Sequence, residues 1–324
     1  MLCSPVVYEH AARFIDRSPF DVSISADLLA KAHIAAWHYY KHSPVTIGMD
    51  IYNLEAEAFG ASVDVPEGNE VPGISGNIFE SFEELMALEP LNLKRAGRFP
   101  IHLDAARKVK AELPEADVRL PLSGPFSIAS NLLGFEKLLM AALLEQDRTR
   151  TVLEHIADLQ SGLAQQIIES GFDVSFFESA AAPPLLSPYL IKSVEIPVLK
   201  KMMSALEEMN GKKNAFIMGG DNAAIAEDLA CIGAGFLICP AETDQRVFLE
   251  NVFTESSANA SPDSLVIRIN MSAEIIATGD KTEIRKEIKR VKELMRDFPS
   301  TLAGTGVLSY DNEPELISWI IEQF

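Results

Sequence analysis

Four carboxylates stand where an apolar run of strand length gives way to a helical segment. They are Asp50 after Ile47-Gly48-Met49, Glu178 after residues 174–177, Asp221 behind Gly219-Gly220, and Glu242 just past Cys239. In chains built of β/α units the C-terminal ends of the strands carry the chemistry, so acids there are candidates for proton transfer or for holding a cation. Each also has an ordinary structural use, as an N-cap or first-turn acid on the following helix. Asp221, followed by Asn222 and a helical run, suits that use as well as the functional one. Asp50 and Glu178 follow their apolar runs directly and rank first, with Asp221 and Glu242 in support. Other strand-end groups are Ser123-Gly124-Pro125, Ser179, Gly219-Gly220, Cys239, Asn270 and Gly304-Thr305-Gly306.

Other catalytic signatures are weak. The six histidines lie mostly in helical segments, and His38 and His42, four apart, lack a glutamate in zincin spacing. Cys231 reads as a small core residue in a helix, and Cys239 as a buried thiol at a strand end. Gly219-Gly220 and Gly304-Thr305-Gly306 match neither a P-loop nor a dinucleotide fingerprint, and serve better as close approaches of backbone to ligand. No serine-nucleophile motif is present.

These groups must be positioned by a large core. The 324 residues, 48% hydrophobic and 23% charged, suffice for one such core or for two of ordinary size. A net charge of -19 argues against a sequence-independent nucleic-acid binder and against an anionic membrane surface. Three cysteines, an odd number in so long a chain, fit a reducing, cytoplasmic setting. Residues 1–10 lack a signal-peptide pattern, and no apolar run approaches the roughly 18 residues of a membrane span.

From Pro44 onward, apolar runs alternate with amphipathic helical segments, the pattern of parallel β/α architecture. Strands are expected at 45–49, 62–65, 118–122, 174–177, 215–218, 236–238, 265–269 and 300–303, about the number that closes a (β/α) barrel. An open doubly wound sheet gives the same alternation. Residues 6–17 and 25–42 read as two helices preceding the barrel. Residues 66–116, strewn with Pro and Gly, read as an excursion over its mouth. The whole, residues 1–324, is expected to be a single domain. The apolar face of the last helix, with Trp319 and Ile320, suits either the barrel or a second copy in a homo-oligomer.

The order of motifs resembles a known family. Ile47-Gly48-Met49-Asp50-Ile51-Tyr52-Asn53 with Glu55-Ala56-Glu57-Ala58-Phe59-Gly60, the run Leu120-Pro121-Leu122-Ser123-Gly124-Pro125-Phe126-Ser127-Ile128-Ala129-Ser130, and Glu178-Ser179 ahead of Leu186-Ser187-Pro188 are similar to the uroporphyrinogen decarboxylase superfamily. That superfamily includes corrinoid-dependent methyltransferases acting between methylcobamide and coenzyme M. The resemblance implies an α/β fold, a (β/α)8 TIM barrel with an N-terminal helical extension and a cleft at the strand C-termini. It sets Asp50 at the decarboxylases' catalytic aspartate and Ser179 at their substrate-contacting serine. Asn131 falls at the position of their tyrosine and Thr305 at that of their histidine.

The match also departs from the family. The arginine motif that holds substrate carboxylates has no counterpart before Asp50. The nearest similar string, Arg95-Ala96-Gly97-Arg98, comes well after it and is expected in the wrong part of the fold. Porphyrinogen decarboxylation is therefore disfavoured. The coenzyme M methyltransferases resemble this chain in lacking the clamp, but hold zinc through His-x-Cys-Gly and Gly-Cys-Gly. Here Phe216, Met218 and Thr305 occupy those positions and supply neither imidazole nor thiolate.

The resemblance thus implies methyl transfer between a small methylated donor, other than a zinc-bound thiol, and a corrinoid on a partner protein. Asp50, Glu178 and Ser179 are the expected catalytic groups, with Asp50 and Glu178 facing each other across the cleft. Tyr52, Asn53, Asn131, Gly219, Gly220, Asp221, Glu242 and Thr305 are the expected substrate contacts, and a metal held by the carboxylates is left open. The alternative is a member that binds a ligand or partner without catalysis.

Overall fold

A computed structural model describes residues 2–253 and 265–324. Eight strands form one sheet in the order β1-β10-β9-β8-β7-β6-β5-β2, every neighbouring pair parallel. They are β1 (Cys3–Val6), β2 (Val45–Thr46), β5 (Val118–Ser123), β6 (Asp173–Phe177), β7 (Ala215–Ile217), β8 (Phe236–Cys239), β9 (Val266–Asn270) and β10 (Thr301–Val307). Strands β3 (Ser62–Val63) and β4 (Ile74–Ser75) form a separate antiparallel hairpin. The sheet strands are apolar and largely buried along their length, as expected where helices cover a parallel sheet.

The expected barrel is realised as a curled sheet. Its edge strands β1 and β2 share no ladder among the described residues, yet the Ser4 hydroxyl donates to the Ser43 carbonyl at 2.7 Å, so the two edges meet. Strand β2 is short because the chain leaves the ladder after Ile47, whose amide still donates to the Arg119 carbonyl at 2.9 Å, while the Gly48 amide is spent on His33 Nε2 at 3.2 Å.

Three expectations need correction. The N-terminus is not purely helical, because Cys3–Val6 pairs with β10 as a sheet strand. Four residues are too few to show a period. The strand expected at 62–65 lies in the hairpin, outside the sheet. Residues 66–116 are only partly an excursion, since Phe99–Glu112 is a 14-residue helix packed on Ala26–Tyr40. Pro100 opens that helix, where a missing amide costs nothing, and does not break it.

Candidate functional site

The mouth at the strand C-termini encloses a cavity of about 190 Å³. Its walls carry Tyr8, Tyr52, Glu242, Arg268 and Asn270 among apolar groups that include Phe177, Ile217 and Met271. Tyr8 and Tyr52 each meet the Phe177 ring edge-on, with centroids 5.8 and 5.9 Å apart, which makes one side of the cavity aromatic. Burial raises the Tyr8 phenol to about 12 and pushes that of Tyr52 higher still, so both stay protonated as hydrogen-bond donors.

Asp50 is not on that wall. Its carboxylate accepts both terminal nitrogens of Arg98, at 2.9 and 2.5 Å, while Arg98 Nε donates to Glu57 at 2.6 Å. Burial alone would lower the Arg98 pKa, but the two carboxylates reverse that and hold it raised. The placement of Arg98 away from Asp50 is therefore corrected: the turn ending at Gly97 brings it directly onto the aspartate. Asn53 bridges Asp50 at 3.3 Å to the Pro72 carbonyl at 2.6 Å, and Asn131 donates to the Tyr52 carbonyl at 3.0 Å. Together these bonds fix the stretch that carries Tyr52.

Glu178 is also withdrawn from the cavity. It sits at the start of helix Pro125–Leu133, accepting the amides of Phe126 at 3.1 Å and Ser127 at 3.3 Å and the Ser127 hydroxyl. That hydroxyl in turn accepts the Ser179 and Ala180 amides at 3.1 Å. Gly124 makes the seat possible, since a Cβ there would collide with the Glu178 carboxylate. Against Glu178 lies Glu195, on the single π-helical turn Ile191–Glu195, with no well-formed hydrogen bond to either oxygen. Burial raises both carboxyl pKa values. Glu178 is pulled back by Ser127, whereas Glu195 is driven further up by the charge of Glu178. Within the pair Glu195 therefore binds a proton more tightly than Glu178 does.

Of the expected contacts, Tyr52, Gly219 and Glu242 line the cavity. Exposed Asp221 instead accepts the Thr243 hydroxyl at 2.8 Å, and its amide meets the Pro183 carbonyl beside Gly220. Ser179 contributes its backbone amide to the Glu178 seat. Thr305 is fully buried; its hydroxyl accepts the Val6 amide at 3.1 Å and donates to the Gly306 carbonyl, tying β1 to β10. Phe216 and Met218 are core residues. The family's thiolate zinc site therefore does not fit these positions, and among the described residues no group of three His, Cys, Asp or Glu is arranged around a common point. Tyr8, Arg268 and Glu195 were missed from sequence. Arg268, alone in the apolar run Leu265-Val266-Ile267-Arg268-Ile269, was the legible signal, because a charge inside a buried strand is uncommon.

The family model of uroporphyrinogen decarboxylase (URO-D) matches residues 3–301. The chain is 23% identical over 198 residues to the methylcobamide:CoM methyltransferase MtaA of Methanosarcina barkeri (strain Fusaro / DSM 804), a match covering 59% of this chain and 58% of that one. It superposes on a methyltransferase from Methanosarcina mazei with a TM-score of 0.79 at 17% identity, covering 99% of this chain and 92% of the other. No single helix among the described residues is long and apolar enough to cross a membrane.

Proposed function

The chain belongs to the uroporphyrinogen decarboxylase family, and from that premise we propose that it is a methyltransferase, moving a methyl group from a small donor in the mouth cavity to a corrinoid on a separate protein. The observation that carries this is the cavity itself: small, aromatic on one side, and furnished with neutral donors where a leaving atom would gain charge. At about 190 Å³ it is below the ~300–1,000 Å³ of drug-sized ligand sites, which suits a small methylated molecule and not a tetrapyrrole.

The acceptor, a reduced corrinoid, would supply the nucleophile. This chain's residues would bind and orient the donor and stabilise what the methyl leaves behind. As the methyl departs, the electron pair stays on the donor's oxygen or nitrogen, and the Tyr52 phenol would donate a hydrogen bond to it. The charge of Glu178 acts on Tyr52 and, after burial and the neighbouring Tyr8 and Glu9, helps to keep its phenol protonated. Asp50, with both oxygens committed to Arg98, is a positioning residue in this scheme. The Glu178 seat and Ser179 hold the end of β6, where Phe177 faces the cavity.

The test is methyl transfer to cob(I)alamin from methyl ethers, methylamines and methyl thiols, followed by the cobalt absorption change. Transfer from at least one donor, cut about a hundredfold to a thousandfold in Tyr52→Phe, is expected. If no donor reacts while ligands still bind the cavity, the chain is the non-catalytic member of its family.

A further inference from the structure

Arg268 lies on β9 with 6% of its surface exposed, and it lines the mouth cavity. Among the described residues it makes no ion pair. Its Nε donates to Asn270 Oδ1 at 3.0 Å, Tyr8 is its other polar neighbour, and its guanidinium stands 5.5 Å from the Phe236 ring. Burial lowers its pKa, and the groups that oppose this are Tyr8 and Cys3, both of which stay protonated. An arginine cannot escape burial by losing its proton, as a glutamate can, so its charge needs an anion.

The fold builds a seat for it. A Cβ on Gly304, in the neighbouring strand β10, would lie 2.5 Å from Arg268 Cδ and 2.8 Å from Cγ, so only glycine admits the stem. With Nε taken by Asn270, the two terminal nitrogens are what the side chain can offer, and that fork matches the two oxygens of a carboxylate.

We propose that the mouth cavity binds a small monocarboxylate, its carboxylate paired end-on with Arg268 and its short body against Tyr8, Tyr52 and Phe177. The Tyr8 hydroxyl is a third donor to the same group. A net charge of -19 does nothing to concentrate anions around the protein, so selection is local to this arginine. The inference deepens the methyl-transfer reading by naming the donor's chemical class, and rests on it only for the statement that the ligand is a donor.

The experiment is calorimetric titration of the full chain with propionate, N,N-dimethylglycine and the uncharged isostere propanamide. Saturable binding of a carboxylate, at least about tenfold tighter than propanamide, is expected. Arg268→Gln should abolish the preference. Asn270→Asp should do the same with the arginine intact, by placing a carboxylate beside the guanidinium. Equal binding of propionate and propanamide, no saturable binding of either carboxylate, or full affinity in Asn270→Asp overturns the proposal. Carboxylate binding without methyl transfer from any donor leaves this site standing and removes the catalytic reading; transfer from neutral donors alone does the reverse.

Discussion

Arg98 and Arg268 are both buried, and they meet the cost of burial in opposite ways. Arg98 is enclosed by carboxylates, with Asp50 gripping its fork and Glu57 its Nε. Arg268 has an amide, a phenol and an aromatic ring around it and, among the described residues, no carboxylate within ion-pair distance, although Glu242 stands elsewhere on the same cavity wall. Exposure is similarly low for both, so it is the partner set that separates an arginine holding the fold from one facing a cavity.

The largest effect should come from breaking the first arrangement. Arg98→Met leaves Asp50 buried with its counter-charge gone, and removal of one partner of a buried pair costs about 3–5 kcal/mol. Arg268→Met removes a desolvated charge that no carboxylate compensates, so its unfolding free energy should stay within about 1 kcal/mol of wild type or rise. Denaturant titration of the two variants checks this. Equal losses would mean that Arg268 also has a structural counter-ion.

A smaller effect should come from the seats. Gly304→Ala forces the Arg268 stem to move, an overpacking expected to cost about 1–3 kcal/mol, and most of that should return in the double variant with Arg268→Met. Gly97→Ala, at φ +46 and 3.2 Å from the Ala58 backbone, should show no rescue by Arg98→Met, because its strain lies in the main chain. Additive costs at Gly304 and Arg268 would show that the glycine serves something other than the arginine.

Sequence and structure agree where a signal was local and diverge where it depended on a distant contact. Seven of the sheet strands follow from apolar runs of ordinary length, whereas β1 is four residues and takes its meaning only from β10, almost the whole chain away. The rank of Asp50 and Glu178 as strand-end acids was legible, but their partners were not. Arg98 arrives from 48 residues on, and Glu195 from a helix that shows nothing but an apolar period. Thr305 stands as a substrate contact in the sequence because the resemblance sets it at the decarboxylases' histidine; in the structure its hydroxyl is spent tying β1 to β10. Arg268 is visible in the sequence as a charge within an apolar strand, but the groups that surround it, Tyr8, Phe236 and Gly304, come from distant segments.

Glu195 offers the finest test, since it shows a third way of living with a buried charge: keeping a proton. Glu178 is stabilised by Ser127 and the helix start, while for Glu195 burial and the adjoining Glu178 hold its proton on and outweigh the Phe126 amide, which opposes them. An acid that binds its proton more tightly folded than unfolded adds stability that is fully present below its unfolded pKa, about 4.3, and is lost as pH rises toward the folded value. Glu195→Gln replaces the proton with an amide that donates to Glu178 at every pH. The two proteins should therefore have nearly equal stability at pH 4.5, and at pH 9 the variant should be ahead by several kcal/mol, because each pH unit over which the folded carboxyl keeps a proton that the unfolded one has lost costs the wild type about 1.4 kcal/mol. The buried histidines His10, His33, His42 and His102, lowered by burial to about 4, 3, 3 and 4, add a dependence of opposite sign, with stability lost as pH falls from about 6.5. That contribution is common to both proteins and cancels in the difference. Thermal unfolding at half-unit steps of pH reads the difference directly. Parallel curves would mean that Glu195 ionises freely, and that the proton assigned to it is not there.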